Sequence, residues 1–421
     1  MHDTNDLIKV IAFYLPQFHP VAENDEWWGK GFTEWTNVAK TKPSFEGHYQ
    51  PHLPSDFGYY DLRVKETRLE QIDLAKEYGI NGFCYHYYWF SGKKILNRPL
   101  DEMLADPALD MPFCLCWANE NWTRRWDAAE HEILIEQKYL PDDDLNFIKS
   151  LAPFLKDPRY IKVDGKSLLV VYRPQHLPDP KKSASIWREY CLDNGIGELH
   201  ICSALTHGNF NYTQFGFDSG VEFPPHNLKV RNINKLIKFS SSFSGNVIDF
   251  AAVAKSYLDR EYRDPSVYKC VFPSWDNTAR TGERAMIIVN ESPDNYQWWL
   301  SKTIESNTSK SAPVFINAWN EWAEGCHLEP DHRHKHAYLK ATLNAINGND
   351  GSVEPTPYAP TTAFPAQTRK LLPDIAEVLC FHIKNFRNKL ISYLILFINK
   401  YPWLKDILKA IFSRLRGFLN R

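Results

Sequence analysis

The chain has 421 residues, a formal net charge of −2, 43% hydrophobic residues and 24% charged residues. This length accommodates one large α/β domain with an appendage, or two ordinary domains. A charge so close to zero gives no reason to expect nucleic acid as a partner. Aromatic residues make up 14% of the chain and include 14 tryptophans. Such a surplus is typical of clefts that stack on apolar ligand faces, sugar rings among them.

The cysteines do not form the pattern of a secreted protein. Cys84, Cys114, Cys116, Cys202 and Cys270 lie within apolar, strand-like segments, where a free thiol behaves as a small buried hydrophobe. The N-terminal sequence has acidic residues where a signal peptide is basic, and we find no apolar run long enough to span a membrane. These features predict reduced, structural thiols and a cytoplasmic protein.

Short apolar segments alternate with helical patterns along most of the chain. The predicted strands are 8–14, 80–87, 111–118, 167–173, 198–205, 217–223, 269–275 and 313–319. The predicted helices are 64–78, 143–155, 183–194, 249–262 and 292–307, and Gly79 and Gly195 stand where helix-ending glycines belong. Continuous apolar strands suit a parallel sheet that is buried on both faces. An open doubly wound sheet normally has a glycine-rich turn after its first strand, and FYLPQFHP has none. We therefore predict an α/β fold with a single (β/α)₈ barrel.

The C-terminal part of the chain changes in composition. Residues 347–367 are rich in Pro, Gly and Thr and read as a linker between a barrel at 1–346 and a tail at 368–421. The tail has eleven Lys and Arg against three acids, interleaved with apolar residues. This pattern predicts a basic amphipathic helical tail that binds an anionic membrane surface. The alternative is a pair of helices that dock on the barrel or on a partner chain.

Two carboxylates follow the last predicted strand, at Glu321 and Glu324. In a (β/α)₈ barrel the reacting groups lie on loops at the carboxyl ends of the strands. Residues three apart share one face of a helical turn, and closely spaced carboxyl groups suit retaining glycosidic chemistry. A solvated helix face is the ordinary explanation for such a pair. The flanking Trp319 and Trp322 favour a catalytic pair instead.

Amide, carboxylate, imidazole and aromatic side chains gather at the other strand ends and in the long loop 24–49. For each residue alone, a structural role is about as plausible as a functional one, but their common chemistry suits a hydroxyl-rich ring. The predicted substrate-binding residues are Tyr14, Gln17, His19, Trp28, His86, Tyr88, Trp117, Asn119, Glu120, Trp122, Arg124, Glu222, Trp275, Asn320 and Trp322.

A group of histidines lies near the end of the predicted barrel, at His327, His332, His334 and His336. The last three alternate along the chain without the spacing of a helical metal site. We therefore predict a surface loop here, no metal site, and no cofactor for the chain.

Five sequence blocks together resemble a known family. They are IAFYLPQFHP, NDEWWGKGFTEWTNV, GFCYHYYWF, CWANENWTRRWD and NAWNEWAEGCHLEPD. They resemble the WbsX-type family of bacterial surface-polysaccharide proteins over about residues 8–345, and that family is similar to glycoside hydrolase family 99, the endo-α-mannosidases and endo-α-mannanases. The basic tail lies outside the resemblance.

The resemblance implies a (β/α)₈ barrel and a retaining mechanism through a 1,2-anhydro sugar. It implies that Glu321 is the base that acts on the sugar 2-hydroxyl, and that Glu324 is the acid and then the base. One position departs from the family's hydrolases, because Ala323 stands where they have histidine. The departure puts the substrate contacts, and hydrolysis itself, in question.

The resemblance further implies a glycosyltransferase of O-antigen, capsule or other surface-polysaccharide assembly, acting on an oligosaccharide or lipid-linked glycan. Within the barrel blocks the sequence has no D-x-D metal motif and no nucleotide cradle, so the sugar donor is left open. Two alternatives remain at this stage. One is an endo-acting glycoside hydrolase that trims a mannose-type or related glycan. The other is a non-catalytic glycan-binding barrel.

Overall fold

The structure is a computed structural model, and it describes residues 9–123, 133–240, 242–262, 266–307, 312–349 and 353–359. The chain divides into two units, Met1–Pro360 and Thr361–Arg421. The predicted tail, most of the predicted linker and Arg124 lie outside the described residues. The domain boundaries and the membrane-binding tail therefore stay predictions. None of the described helices has the length and hydropathy that a membrane span requires.

Eight parallel strands form the central sheet. They are β1 (Val10–Tyr14), β2 (Gly82–Phe90), β3 (Phe113–Trp117), β4 (Lys166–Val171), β5 (Leu199–Leu205), β6 (Ser219–Glu222), β7 (Val267–Tyr268 and Cys270–Val271) and β8 (Val314–Ile316). Each strand pairs with the next along the chain, and β1 pairs with β8. Strand β7 is interrupted at Lys269: its first half pairs with β6 and its second half with β8. The sheet therefore forms a barrel, which confirms the predicted fold.

The helices are α1 (Ala22–Trp28), α2 (Glu34–Lys40), α3 (Lys65–Glu77), α4 (Arg98–Ala105), α5 (Asp143–Leu155), α6 (Pro180–Asp193), α7 (Phe250–Leu258), α8 (Thr278–Thr281), α9 (Pro293–Glu305) and α10 (Ala337–Ile346). Helices α3 to α7, α9 and α10 connect or follow the barrel strands, except that β5 reaches β6 through the short 3₁₀ turn Thr213–Phe215. Gly79 and Gly195 follow α3 and α6 with φ of 81° and 66°, the left-handed conformation that ends helices.

The barrel strands are almost entirely buried, which explains their continuous apolar sequence. Successive side chains alternate between the barrel interior and the surrounding helices. Phe13 packs against Phe223 and Phe315 of other barrel segments, whereas its neighbour Tyr14 donates its hydroxyl to Gln71 of α3. The seven cysteines within the described residues are free and buried, as the sequence predicts.

Several short elements lie beyond the carboxyl ends of the strands and carry part of the site. Trp275–Asp276 pairs antiparallel with Met286–Val289, which pairs parallel with Asn246–Asp249. Trp122–Thr123 pairs antiparallel with Ile133–Ile135. Helices α1 and α2 belong to the long loop between β1 and α3. The barrel strands fix the positions at which these elements begin.

Candidate active site

A tight turn after β8 holds both predicted catalytic residues. Asn320–Glu321 pairs antiparallel with Cys326–His327, and one 3₁₀ turn, Trp322–Glu324, joins the two strands. Gly325 closes this turn with φ of 57°, and a Cβ there would lie 3.0 Å from the backbone N and O of Asp276. Only glycine fits such a position without displacing the backbone. We call residues 320–327 the catalytic turn.

One guanidinium group joins three carboxylates at this turn. Arg280 of α8 donates from Nη1 to Glu324 Oε1 at 2.5 Å and from Nη2 to Glu321 Oε2 at 2.7 Å. The same Nη2 donates to Glu34 Oε1 at 2.7 Å, and Glu34 is fully buried on α2. His86 Nε2 lies 3.8 Å from Glu321 Oε1. The two predicted catalytic carboxylates therefore lie side by side on a single cation.

Burial sets the protonation of this cluster. It raises the pKa of Glu324 to about 7, helped by Glu321 and opposed by Arg280. Burial also raises the pKa of Glu34, and Arg280 again opposes the rise. Burial lowers the pKa of His86, but the Cys116 thiol and the nearby carboxylates outweigh it, with a net rise. A carboxyl group with a pKa of about 7 can exchange a proton near neutral pH.

A cavity of about 300 Å³ opens over the catalytic turn, at the lower end of the range for small-ligand sites. Nine of the predicted site residues line it: Gln17, Trp28, His86, Tyr88, Glu120, Trp122, Trp275, Glu321 and Glu324. These side chains come from five strand ends and from α1, so the barrel assembles them from distant parts of the chain. Trp122 packs edge-on against Tyr88 with ring centroids 5.3 Å apart. The cavity therefore combines aromatic and carboxylate surfaces.

Seven predicted substrate-binding residues do not line the cavity: Tyr14, His19, Trp117, Asn119, Glu222, Asn320 and Trp322. Strand alternation explains two of them, because Tyr14 and Trp117 face the surrounding helices. Trp117 stacks on Phe147 of α5 with centroids 4.0 Å apart. His19 is 1% exposed. The sequence grouped all polar and aromatic strand ends without regard to this alternation.

The remaining four support the backbone around the site. Asn119 exchanges hydrogen bonds with the backbone N–H and C=O of Arg173 at 2.7 and 2.8 Å. Asn320 does the same with Leu15 at 2.7 and 3.0 Å. Glu222 is buried and accepts the Tyr262 hydroxyl at 2.9 Å. Trp322 donates its indole N–H to Glu329 at 2.6 Å. These contacts hold the strand ends together rather than face a ligand.

A buried carboxylate beneath the catalytic turn holds Trp322 in place. Glu329 accepts the Trp322 indole N–H at 2.6 Å, the Tyr60 hydroxyl at 2.9 Å and the Gln71 amide at 2.5 Å. It is 2% exposed. Burial raises its pKa to about 7, although these donors favour the ionised form. The network fixes the turn from the side opposite the cavity.

One of the four histidines that the sequence places in a surface loop, His327, is buried. His332 is exposed, and His334 and His336 are half-buried, but His327 is 4% exposed. Its ring stacks on Trp322 with centroids 3.7 Å apart and 13° between the planes. The expectation that His327 lies on the surface is wrong, because the antiparallel pairing of the catalytic turn carries it inward.

The cavity-lining residues that the sequence prediction missed include Tyr172, Phe223, His226, Arg280 and Asn317. Asn317 directly follows β8 and was detectable by the strand-end rule. Arg280 was not, because it lies on the short helix α8, and its partner Glu34 is 246 positions away. Glu34 itself lies in the long loop 24–49, where the sequence analysis finds a group of polar and aromatic side chains.

Comparison with known proteins identifies the family. A model of the family described as glycosyltransferase WbsX matches residues 10–342. The chain belongs to this family. The protein WxcX from two strains of Xanthomonas campestris pv. campestris, whose own role is uncharacterized, is 46% identical over 342 residues. The match covers 80% of this chain and 49% of WxcX, so the chain spans about half the length of the curated relatives it matches.

Two solved structures that are similar to this chain carry glycoside hydrolase descriptions. A glycoside hydrolase-like protein superposes with a TM-score of 0.53 at 14% identity, covering 82% of this chain and 96% of the other. The family 99 endo-α-mannosidase of Bacteroides thetaiotaomicron gives a TM-score of 0.48 at 14% identity, over 80% and 96% of the two chains. At 14% identity, the similarity to the glycoside hydrolase-like protein supports the fold alone.

Proposed function

We propose that this WbsX-family chain is a carbohydrate-active enzyme that makes glycosidic bonds with retention, in the assembly of a bacterial surface polysaccharide. The observation that carries the proposal is the shared contact of Glu321 and Glu324 with Arg280 beneath an aromatic cavity. Membership of a family described as glycosyltransferases supports the reaction class. A hydroxyl-rich substrate matches the mixture of aromatic, amide and carboxylate groups.

The two carboxylates take different roles. Glu321 removes the proton of the sugar 2-hydroxyl as its oxygen attacks the anomeric carbon, and Glu324 donates its proton to the departing oxygen. In the second step an acceptor hydroxyl opens the 1,2-anhydro ring. Glu324 then takes the acceptor proton, and Glu321 returns its proton to the 2-oxygen. Two inversions give net retention. The raised pKa of Glu324 supports the acid role, because it keeps the carboxyl protonated near neutral pH.

Arg280 positions the pair rather than transferring a proton. It donates to both carboxylates at once, so its planar fork fixes their separation and orientation. Its charge also opposes the burial that raises the pKa of Glu324. Glu34 holds the same guanidinium from α2. We assign Arg280 and Glu34 as positioning residues of the catalytic turn.

The chemistry of the leaving group favours a glycosidic donor over a nucleotide sugar. A sugar alkoxide needs a proton to depart, and Glu324 supplies one. A nucleoside diphosphate departs as a stable anion and needs none. The acidic side chains of Glu34, Glu120 and Glu321 also line the cavity, and such a lining disfavours a diphosphate. We therefore propose that the donor is a sugar already linked in a glycan.

The endo-acting glycoside hydrolase is the second candidate, and the same carboxylate pair favours it. Hydrolysis differs from transfer only in the acceptor, which is water instead of a sugar hydroxyl. The non-catalytic glycan-binding barrel has less support, because binding alone does not require two carboxylates held against one another. A lipid-linked acceptor and a cytoplasmic, membrane-surface location remain proposals that depend on residues 368–421.

Product analysis on the purified full chain tests the proposal. Lipid-linked and free bacterial oligosaccharides are incubated with a labelled acceptor, with and without a panel of nucleotide sugars. Elongated, anomerically retained product without any nucleotide sugar is the expected result. Elongation only with a nucleotide sugar would overturn the proposed donor, and shortened glycans without elongation would establish the hydrolase.

Two matched variants separate the roles of the carboxylates. Aryl glycosides with acidic phenols need no proton to depart, so Glu324→Gln should still release phenol from them while failing on natural glycans. Glu321→Gln should fail on both, because the first step needs its base. Glu305→Gln, at the exposed end of α9, serves as the control and should act as wild type. Binding of glycan with no turnover in the wild type would favour the binding barrel.

A further inference from the structure

Three side chains of the types that bind metals meet at the end of the catalytic turn, outside the cavity. They are His52, His327 and Asp331, which are 8%, 4% and 4% exposed. One ligand atom from each lies within 4.8 Å of the others. His52 Nδ1 and His327 Nε2 are 2.9 Å apart. None of the three lines the cavity over Glu321 and Glu324.

The surrounding backbone holds these ligands in place before any ion binds. His327 Nδ1 donates to the Glu329 carbonyl at 2.9 Å, so its Nε2 lone pair points at His52. Asp331 forms a backbone bridge with Pro54, and Ser55 N–H donates to the Pro330 carbonyl at 3.0 Å. The two loops that carry the ligands are therefore tied together. A ring nitrogen fixed by a backbone carbonyl is the usual support of a metal-bound histidine.

The two histidine nitrogens lie close enough to bind one transition-metal ion. Two nitrogens 2.9 Å apart subtend an angle of about 90° at an ion with ~2.05 Å bonds. A tetrahedral site requires about 3.3 Å between the two nitrogens, so they must separate by roughly 0.4 Å. The Asp331 oxygen, which lies within 4.8 Å of both nitrogens, must approach to a similar distance. Asp331 uses one oxygen to accept the His334 N–H at 2.5 Å, which leaves the other oxygen for an ion.

We propose that His52 Nδ1, His327 Nε2 and the Asp331 carboxylate bind one divalent transition-metal ion of the zinc class. Two imidazoles and one carboxylate are the ligands such ions prefer. Without the ion, the Nδ1 proton of His52 bridges to His327. When the ion binds, that proton moves to His52 Nε2, and both imidazoles stay neutral. Water completes the coordination.

The ion stabilises the catalytic turn and does not act on substrate. His327 pairs with Asn320 across the turn, next to Glu321. Its ring stacks on Trp322, which separates Glu321 from Glu324. An ion that fixes His327 to the loop of His52 therefore fixes the strand that carries the first catalytic carboxylate. This role is independent of which glycosidic reaction the enzyme performs.

Metal binding by the untagged full chain tests the proposal. The protein is equilibrated with Zn²⁺, dialysed against metal-free buffer and analysed by mass spectrometry for zinc, and its affinity is measured by competition with a chromophoric chelator. Cobalt substitution gives a second readout, because tetrahedral Co²⁺ absorbs visible light strongly. We expect about one ion per chain, and a cobalt spectrum that Zn²⁺ abolishes.

Three variants decide whether the ion occupies this site. His52→Gln and Asp331→Asn should bind Zn²⁺ at least about tenfold more weakly and lose the cobalt spectrum. His332→Gln changes an exposed histidine beside the cluster and should bind as wild type. Asp331→Asn keeps the oxygen that accepts the His334 N–H, so it decides the matter if His52→Gln does not fold. Wild-type protein without a retained ion, or equal binding by wild type and Asp331→Asn, would overturn the proposal.

Discussion

The Arg280 guanidinium donates to Glu324 at 2.5 Å, and this contact opposes the effect of burial on the carboxyl. Burial raises the pKa of Glu324 to about 7, and the cation keeps it from rising further. An acid with a pKa far above the working pH would hold its proton too tightly to give it up or take it back. In the proposed mechanism, Arg280 therefore both positions Glu324 and tunes its pKa.

Replacing Arg280 should slow the reaction and shift its pH profile. In Arg280→Gln, Glu324 loses the charge that lowers its pKa, so the alkaline limb of kcat/KM should move to higher pH. We expect kcat to fall about 100-fold or more, because the carboxylates lose their common anchor. Arg280→Lys keeps the charge but not the two-pronged contact. It should retain the wild-type alkaline limb with a reduced kcat. If the alkaline limb of Arg280→Gln stays at the wild-type pH, Arg280 does not tune the pKa of Glu324.

The wild-type enzyme should lose activity as the pH rises through about 7. The proposed mechanism requires a protonated Glu324 in the free enzyme, and burial raises the pKa of Glu324 to about 7. The measurement is kcat/KM against pH with a natural glycan and with an aryl glycoside that needs no acid. The loss of kcat/KM at high pH should appear with the natural glycan. It should be weaker with the aryl glycoside when the first chemical step limits the rate for that substrate. A limb of equal size with both substrates would assign it to another group.

Gly325 should tolerate no side chain, because two separate penalties apply to it. An L-residue at its φ of 57° costs about 1 kcal/mol, and a Cβ would meet the backbone of Asp276 at 3.0 Å. Gly325→Ala should displace the catalytic turn, lower the Tm and reduce kcat at least about tenfold. Gly348→Ala is the matched control, since Gly348 has φ of 68° and open space around it. Equal effects in both variants would mean that backbone strain alone matters.

The barrel could be predicted because burial on both faces leaves a direct signal in the sequence. Seven of the eight predicted strands overlap barrel strands closely, whereas the bounds of the predicted strand 269–275 differ from those of β7. The apolar run 269–275 predicts one strand, but β7 ends at Val271. Trp275 belongs to the small sheet with Met286–Val289. The run crosses Pro273, and composition does not distinguish a barrel strand from an adjoining short strand.

The candidate site could be predicted mainly where its residues lie near the ends of predicted strands. Glu321 and Trp122 follow β8 and β3, and His86 is near the end of the predicted strand 80–87; all three line the cavity. Arg280 and His52 escaped prediction because each depends on a partner far along the chain. Arg280 meets Glu34 across 246 positions, and His52 meets His327 across 275. Such pairings follow from the closed barrel and leave no periodicity in a single sequence.

Glu329 should make the wild type progressively less stable than Glu329→Gln as the pH rises. Its pKa is about 7 in the folded chain against an ordinary value of 4.5, so the folded state binds the proton more tightly. The contribution of the Glu329 proton to the free energy of unfolding is fully present below about pH 4.5. It is lost as the pH rises to about 7, at up to ~1.4 kcal/mol per pH unit. Thermal unfolding of both proteins from pH 5 to 8 measures the difference, in which contributions from Glu324 and Glu34 cancel.

Glu329→Leu, which leaves the donors of Trp322 and Tyr60 without an acceptor, should cost at least about 2 kcal/mol at every pH. A wild-type advantage that grows with pH would show instead that the three donors outweigh burial and that Glu329 is ionised in the folded chain.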